Sequence, residues 1–219
     1  MMITLTEENY IKAIYHLGKL GTANVSTNAI AKEMETKASS VTDMVKKLSE
    51  KAYVDYKKYQ GVSLTEKGKA IAVNIVRKHR LWEVFLVEKL NFLWDEVHDV
   101  AEQLEHIKSP KLIDELDAFL NFPTHDPHGD PIPDKDGNFS KLDKVKLSKV
   151  AVGETCTCVG VEDSSSAFLK YLDNHKIALG SKIEVIAIEP FDESVTILIN
   201  ASKLNISKHV SNNLFVRTN

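Results

Sequence analysis

The stretch TNAIAKEMETKASSVTDMVKKLSEKAYV, residues 27–54, decides the fold. Its apolar residues Ile30, Ala31 and Met34, then Val41, Met44, Val45 and Leu48, recur at the three- and four-residue spacing of a helix face, which predicts two short helices. Ala31 and Ala38 are small enough to let the helices cross closely, with Val41, Val45 and Leu48 inward. Upstream, Tyr10, Ile11, Ile14, Tyr15 and Leu17 predict another helix. Ser26 or Thr27 can cap the second helix and Ser39 or Ser40 the third. Downstream, YVDYKKYQGVSLTEKGKA alternates as two short strands about a turn at Gly61. Three helices and a hairpin in this order are those of a winged helix-turn-helix.

The inward set leaves Ser39, Ser40, Thr42, Asp43, Lys46 and Lys47 on the outer face of the third helix, with Lys37 just before it. Short hydroxyls near the start of a recognition helix reach base edges or phosphates, and lysines neutralise the nucleic-acid backbone. Asp43 can accept from a cytosine amino group, and Lys57 and Lys58 stand where a wing would meet phosphate. The expected partner is therefore double-stranded DNA. A solvated basic hairpin, or a winged helix used for protein contacts, is the plainer alternative.

The 219 residues suffice for one large or two to three small domains, and 43% apolar with 27% charged residues is a globular composition. The net charge of -3 hides an asymmetry: residues 1–78 carry 13 Lys and Arg against 8 Asp and Glu, whereas residues 79–145 carry 7 against 15. A basic module beside an acidic one suggests anion binding joined to cation binding. No signal-peptide pattern or long uncharged apolar run occurs, so a cytoplasmic location without membrane association is expected. Cys156 and Cys158, two apart in TCTCVGV, read as core residues on one face of a strand.

Periodicity predicts a long helix from about Thr65 to Leu90, then helices over 97–107 and 111–122. The next segment, NFPTHDPHGDPIPDKDGNFSKLD, holds four of the six prolines and reads as an extended crossover. After it, alternating runs such as KIEVIAI and VTILINA predict a small β-barrel. The expected class is mainly α with that small β-barrel, in domains 1–72, 73–143 and 144–219.

Two stretches carry possible metal chemistry. In HDVAEQLEH, residues 98–106, a helical wheel with His98 at zero puts Glu102 at about 40°, Glu105 at about -20° and His106 at about 80°. That arc alone also suits an amphipathic helix facing water. In RKHRLWEVFLVEKL, however, His79 and Glu83 are one turn apart inside a stripe of Ile75, Val76, Leu86 and Leu90. Burying them is costly unless a cation or a mutual hydrogen bond compensates.

The motifs ENYIKAIY, SSVTDMVKKL, RKHRLWE, HDVAEQLEH and PHGDPIP, in this order and spacing, resemble the DtxR/MntR family of metal-dependent transcriptional repressors over essentially the whole chain. The resemblance implies a helical metal-binding and dimerisation domain and a C-terminal SH3-like (FeoA-like) domain. It implies one metal site from His79, Glu83 and His98, and a second from Glu102, Glu105, His106 and Asn9. It also places His128, Asp126 and, further afield, Asp163 near a metal, as in members with a Cys-Pro-His-Gly version of the crossover. The implied molecule is a homodimeric repressor binding a palindromic operator, with Mn(II) or Fe(II) at two sites per subunit and no organic cofactor.

The chain departs from the pattern. Iron-sensing members place Met and Cys where Asn9 and Glu102 stand, and manganese-sensing members Asp and Glu, so Glu102 tilts the donor set towards manganese. Lys12 replaces a glutamate that manganese sensors use one turn after the first ligand, which puts their two-metal arrangement in doubt. An enzyme is not expected: the sequence has no Glu-x-x-His pair, no phosphate-binding glycine loop and no Gly-x-Ser-x-Gly elbow. The remaining rival is a winged-helix regulator that answers an organic effector.

Overall fold

The computed structural model describes residues 3–57, 60–140 and 143–218. The chain divides into two compact units: Met1–His79 with Glu102–Pro110 and Pro133–Asn138, and Arg80–Ala101 with Lys111–Ile132 and Phe139–Asn219. No helix of the described residues is long and apolar enough to cross a membrane.

The first unit begins with helix α1, Leu5–Leu17, closed by a reciprocal capping box between Thr4 and Glu7. Helix α2, Thr27–Glu33, takes its cap from Ser26, whose hydroxyl accepts from the Ala29 amide. Helix α3, Ala38–Glu50, is capped at Lys37 without a side-chain bond, so the expected caps Ser39 and Ser40 instead lie within its first turn. Val41, Val45 and Leu48 are fully buried, as their spacing requires. Each such side chain stabilises the fold by about 1.5–3 kcal/mol relative to exposure. Ala38, read as a spacer between the helices, is exposed. Strands β1, Val54–Lys57, and β2, Gly61–Leu64, form the antiparallel wing. Val25 bridges to Val62 and anchors the wing to the segment before α2. Gly61 has φ +94°, and a Cβ there would meet the Val25 carbonyl oxygen at 2.8 Å.

Helix α4, Glu66–Leu90, has the predicted bounds to within a residue. Helix α5, Val97–Leu104, stops earlier than predicted, and Glu105 and His106 form the turn beyond it. Helix α6 starts at Pro110, a residue suited to a first helical position, and ends at Phe119.

The second unit carries a sheet of strands β3 (Val145–Lys146), β4 (Thr155–Val161), β5 (Lys182–Ile188), β6 (Val195–Ile199), β7 (Ser202–Ile206) and β8 (Leu214–Thr218). Its order is β3-β8-β4-β5-β6-β7, antiparallel throughout. The order leaves β3 and β7 as edges, so the predicted small β-barrel is an open six-stranded sheet with no closing ladder among the described residues. Helices α7, Ser166–Asn174, and α8, Lys208–Asn213, accompany it. Cys156 and Cys158 are buried in its core, and burial pushes both thiols up to about 11.

Candidate metal centre

Glu83 is the hub of the second unit's polar cluster. It lies in α4 and is 2% exposed, with Oε1 3.6 Å from His98 Nδ1 and Oε2 3.8 Å from His128 Nδ1. Donor atoms of Glu83, Asp126 and His128, all three buried, lie within 4.8 Å of one another. His79 precedes Glu83 by one turn of the same helix.

The crossover holds Asp126 and His128 through its own backbone. Asp126 Oδ1 accepts from the amides of His128 and Asp130, both at 2.9 Å, and Arg80 Nε lies 3.4 Å from its other oxygen. The turn depends on Gly129 at φ +85°, where a Cβ would come within 2.0 Å of the Val159 carbonyl oxygen. His128 Nε2 donates to the Trp94 carbonyl at 2.8 Å, and the His128 carbonyl accepts from the Val161 amide at 2.9 Å.

The electrostatics call for a cation. Burial, then the Glu83 and Asp130 carboxylates, pushes Asp126 up to about 7 against the pull of Arg80 and His128. Burial alone would lower His128, but the neighbouring Glu83 carboxylate, the charge of Asp126 and the bond to the Trp94 carbonyl raise it to about 9. Protons thus offset crowded carboxylate charge, and a divalent cation does so more fully. The donors are carboxylate oxygens and imidazole nitrogens without sulfur, a set that fits Mn(II) or Fe(II).

A second cluster lies wholly in the first unit. Glu8 of α1, 5% exposed, accepts from His106 Nδ1 at 2.6 Å, and His106 Nε2 is 3.9 Å from Glu105 Oε1. Glu105 Oε2 lies 2.6 Å from His79 Nδ1 and 2.7 Å from Lys12 Nζ, which also reaches Glu102 Oε1 at 3.2 Å. Burial pushes the Glu105 carboxyl up, but His79 and Lys12 more than offset this and hold it below its ordinary value.

The expected residue Asn9 is exposed, and its neighbour Glu8 is the α1 residue against His106. The two are consecutive on a helix, about 100° apart, so one faces the cluster while the other faces away. Asp163 accepts from the Ser165 amide at 2.8 Å, ahead of α7. Sequence reasoning noted Lys12 only as a departure from the family pattern, and missed Lys78, Arg80 and the Trp94 carbonyl. Glu8 and Lys12 could have been found, because they stand i, i+4 on one face of the first predicted helix.

On the winged helix, Lys37, Ser39, Ser40, Asp43, Lys46, Lys47 and Lys57 are exposed. Thr42 is half-buried and its hydroxyl donates to the Ala38 carbonyl at 2.9 Å, which removes that proton from outward bonding. Lys58 lies outside the described residues.

Three family profiles match most of the chain. Residues 2–62 match the family profile described as the iron dependent repressor N-terminal DNA binding domain, and residues 65–134 its metal binding and dimerisation domain. Residues 145–218 match the FeoA domain. The chain is 38% identical over 156 residues to the HTH-type transcriptional regulator MntR of Oceanobacillus iheyensis, covering 70% of this chain and 98% of that protein. It is 34% identical over 128 residues to the iron-dependent repressor IdeR of Mycobacterium tuberculosis, covering 58% of this chain and 55% of that one. A solved manganese-dependent transcriptional repressor in complex with manganese superposes with a TM-score of 0.81 at 33% identity, over 97% of this chain and 100% of its own. The manganese regulator SloR superposes at 0.70 with 32% identity, over 99% and 100%.

Proposed function

Because the chain belongs to the DtxR/MntR family of metal-dependent transcriptional regulators, we propose that it is a repressor of manganese or iron homeostasis genes whose hold on DNA depends on a divalent ion at Glu83. The observation that carries this reading is the buried convergence of Glu83, Asp126 and His128, with His98 on the other oxygen of Glu83. His79 completes the proposed donor set from one turn upstream on α4. Bound there, the ion supplies the positive charge that this crowded group of carboxylates otherwise takes from protons. The oxygen and nitrogen donors, without sulfur, tilt the set towards Mn(II) while also suiting Fe(II), and the relatives are named for one metal or the other.

Glu102, Glu105 and His106, with Glu8 taking the part expected of Asn9, form the proposed second site of each subunit. Metal that favours the DNA-binding form is in turn bound more tightly when DNA is present, so the two binding events are coupled reciprocally.

Dimerisation in this reading uses apolar side chains left exposed at and just after the ends of α4 and α6 and on α6 itself, Leu90, Leu93, Leu112, Phe119 and Phe122. Phe119 stands 6.2 Å from the Phe85 ring, so α4 and α6 present one continuous apolar face. The two copies of α3 then enter successive major grooves of a palindromic operator. Ser39, Ser40, Thr42 and Asp43 read base edges, while Lys37, Lys46, Lys47, Lys57 and Lys58 neutralise phosphate.

Selection from a random duplex pool, run in parallel with Mn(II) and with chelator, tests the reading. A palindromic motif enriched only with metal supports it. Equal enrichment in chelator contradicts it and favours a regulator of the organic-effector type.

A further inference from the structure

The second cluster already holds a cation of the protein's own. Lys12 stands one turn after Glu8 on α1, and its side chain is only 13% exposed. Its ammonium lies 2.7 Å from Glu105 Oε2, 3.2 Å from Glu102 Oε1 and 3.4 Å from His79 Nδ1. Two carboxylates and an imidazole thus surround one positive atom, as they would surround a metal ion. Lys78, also buried, adds a second positive charge beside Glu8 and Glu105. Three carboxylates, from Glu8, Glu102 and Glu105, therefore meet two ammonium groups before any metal arrives, which offsets most of their mutual repulsion.

Glu105 divides the cluster into two ends. Its Oε2 faces Lys12 and His79, whereas its Oε1 faces His106, which Glu8 holds through Nδ1. We infer that the Lys12 ammonium is a tethered cation filling the position between Glu102 and Glu105, so that this cluster accepts at most one divalent ion, at its Glu8–His106 end. Lys12 also ties α1 to residues 102–105 without metal, and because Glu105 is 1% exposed, removing the ammonium leaves a buried carboxylate short of its partner. The inference rests on the reading of this cluster as a metal site.

The test is the number of Mn(II) ions bound per full-length chain, from electron paramagnetic resonance titration of metal-free wild type, Lys12→Met, Lys12→Glu and Lys12→Arg. The Met and Glu variants are expected to bind one ion more than wild type, and Lys12→Arg, which keeps the charge, to match wild type. Metal-free Lys12→Met should also melt at a lower temperature and recover on adding Mn(II). If Lys12→Met does not fold, Lys12→Glu carries the count, since its carboxylate rejoins the cluster once an ion is present. Unchanged stoichiometry in both variants overturns the inference. Wild type that binds no Mn(II), beside variants that gain an ion, would uphold the role of Lys12 while removing the metal reading of the natural chain. No binding by any of the four proteins overturns both.

Discussion

His128 Nε2 donates to the carbonyl oxygen of Trp94 at 2.8 Å, and this one bond fixes the imidazole's chemistry. A carbonyl only accepts, so Nε2 carries the proton and Nδ1, the nitrogen facing Glu83, is the one that can bind metal. The Trp94 indole lies nearly parallel to this imidazole, with ring centroids 6.4 Å apart.

That nitrogen must lose a proton before it can coordinate. His128 is raised to about 9 and Asp126 to about 7, so metal displaces one proton between those values and two below about 7. Mn(II) affinity should rise with pH, by up to about tenfold per unit between about 7 and 9 and more steeply below 7. The metal-free protein responds in the opposite sense, since both groups bind protons more tightly when folded and stabilise it less as pH rises through their raised values. Calorimetry in buffers of different ionisation enthalpy measures the protons released; a pH-independent affinity with no proton release would contradict the assignment.

Glu83→Gln should lower Mn(II) affinity by at least about tenfold and leave the circular dichroism spectrum unchanged, because it removes charge from the hub at nearly constant volume. Unaltered affinity would move the metal away from Glu83.

Gly129→Ala should destabilise the protein by about 3 kcal/mol or more, combining left-handed backbone strain with a clash against Val159 and Gly160. Gly153 has a similar φ of +88° but nothing within 4 Å of its added Cβ, so Gly153→Ala should cost only about 1–2 kcal/mol. Denaturant unfolding of the pair checks the difference, and equal losses would refute the packing argument.

Lys46→Ala should weaken binding to all duplex sequences alike and reduce the slope of log affinity against log salt by about one. A loss confined to one base position would make Lys46 a base reader instead.

The winged helix was legible because its signals are local and agree: Ser26 caps, Val41, Val45 and Leu48 share a face, and two short strands follow, although Gly61, expected in the turn, begins β2 and pairs with Lys57. Helix α5 was drawn too long because Glu105 and His106 continue its amphipathic arc, whereas the chain turns there before Pro110 starts α6. Strand β7 was missed because its hairpin turn is Asn200-Ala201, both at positive φ, with no glycine to announce a turn. At the site, spacing along α4 pointed to His79 and Glu83. Choosing Glu8 over Asn9 needed the helix phase, and no periodicity reaches from Trp94 to His128, which meet only in the folded chain.

The most direct measurement is fluorescence anisotropy of DNA from upstream of the protein's own gene, titrated with metal-free protein, then with Mn(II) or, anaerobically, Fe(II), and finally with chelator. Tight binding is expected only with metal, reversed by chelator and weakened in Glu83→Gln. Binding equally tight in chelator would contradict the claim that an ion at Glu83 controls the repressor.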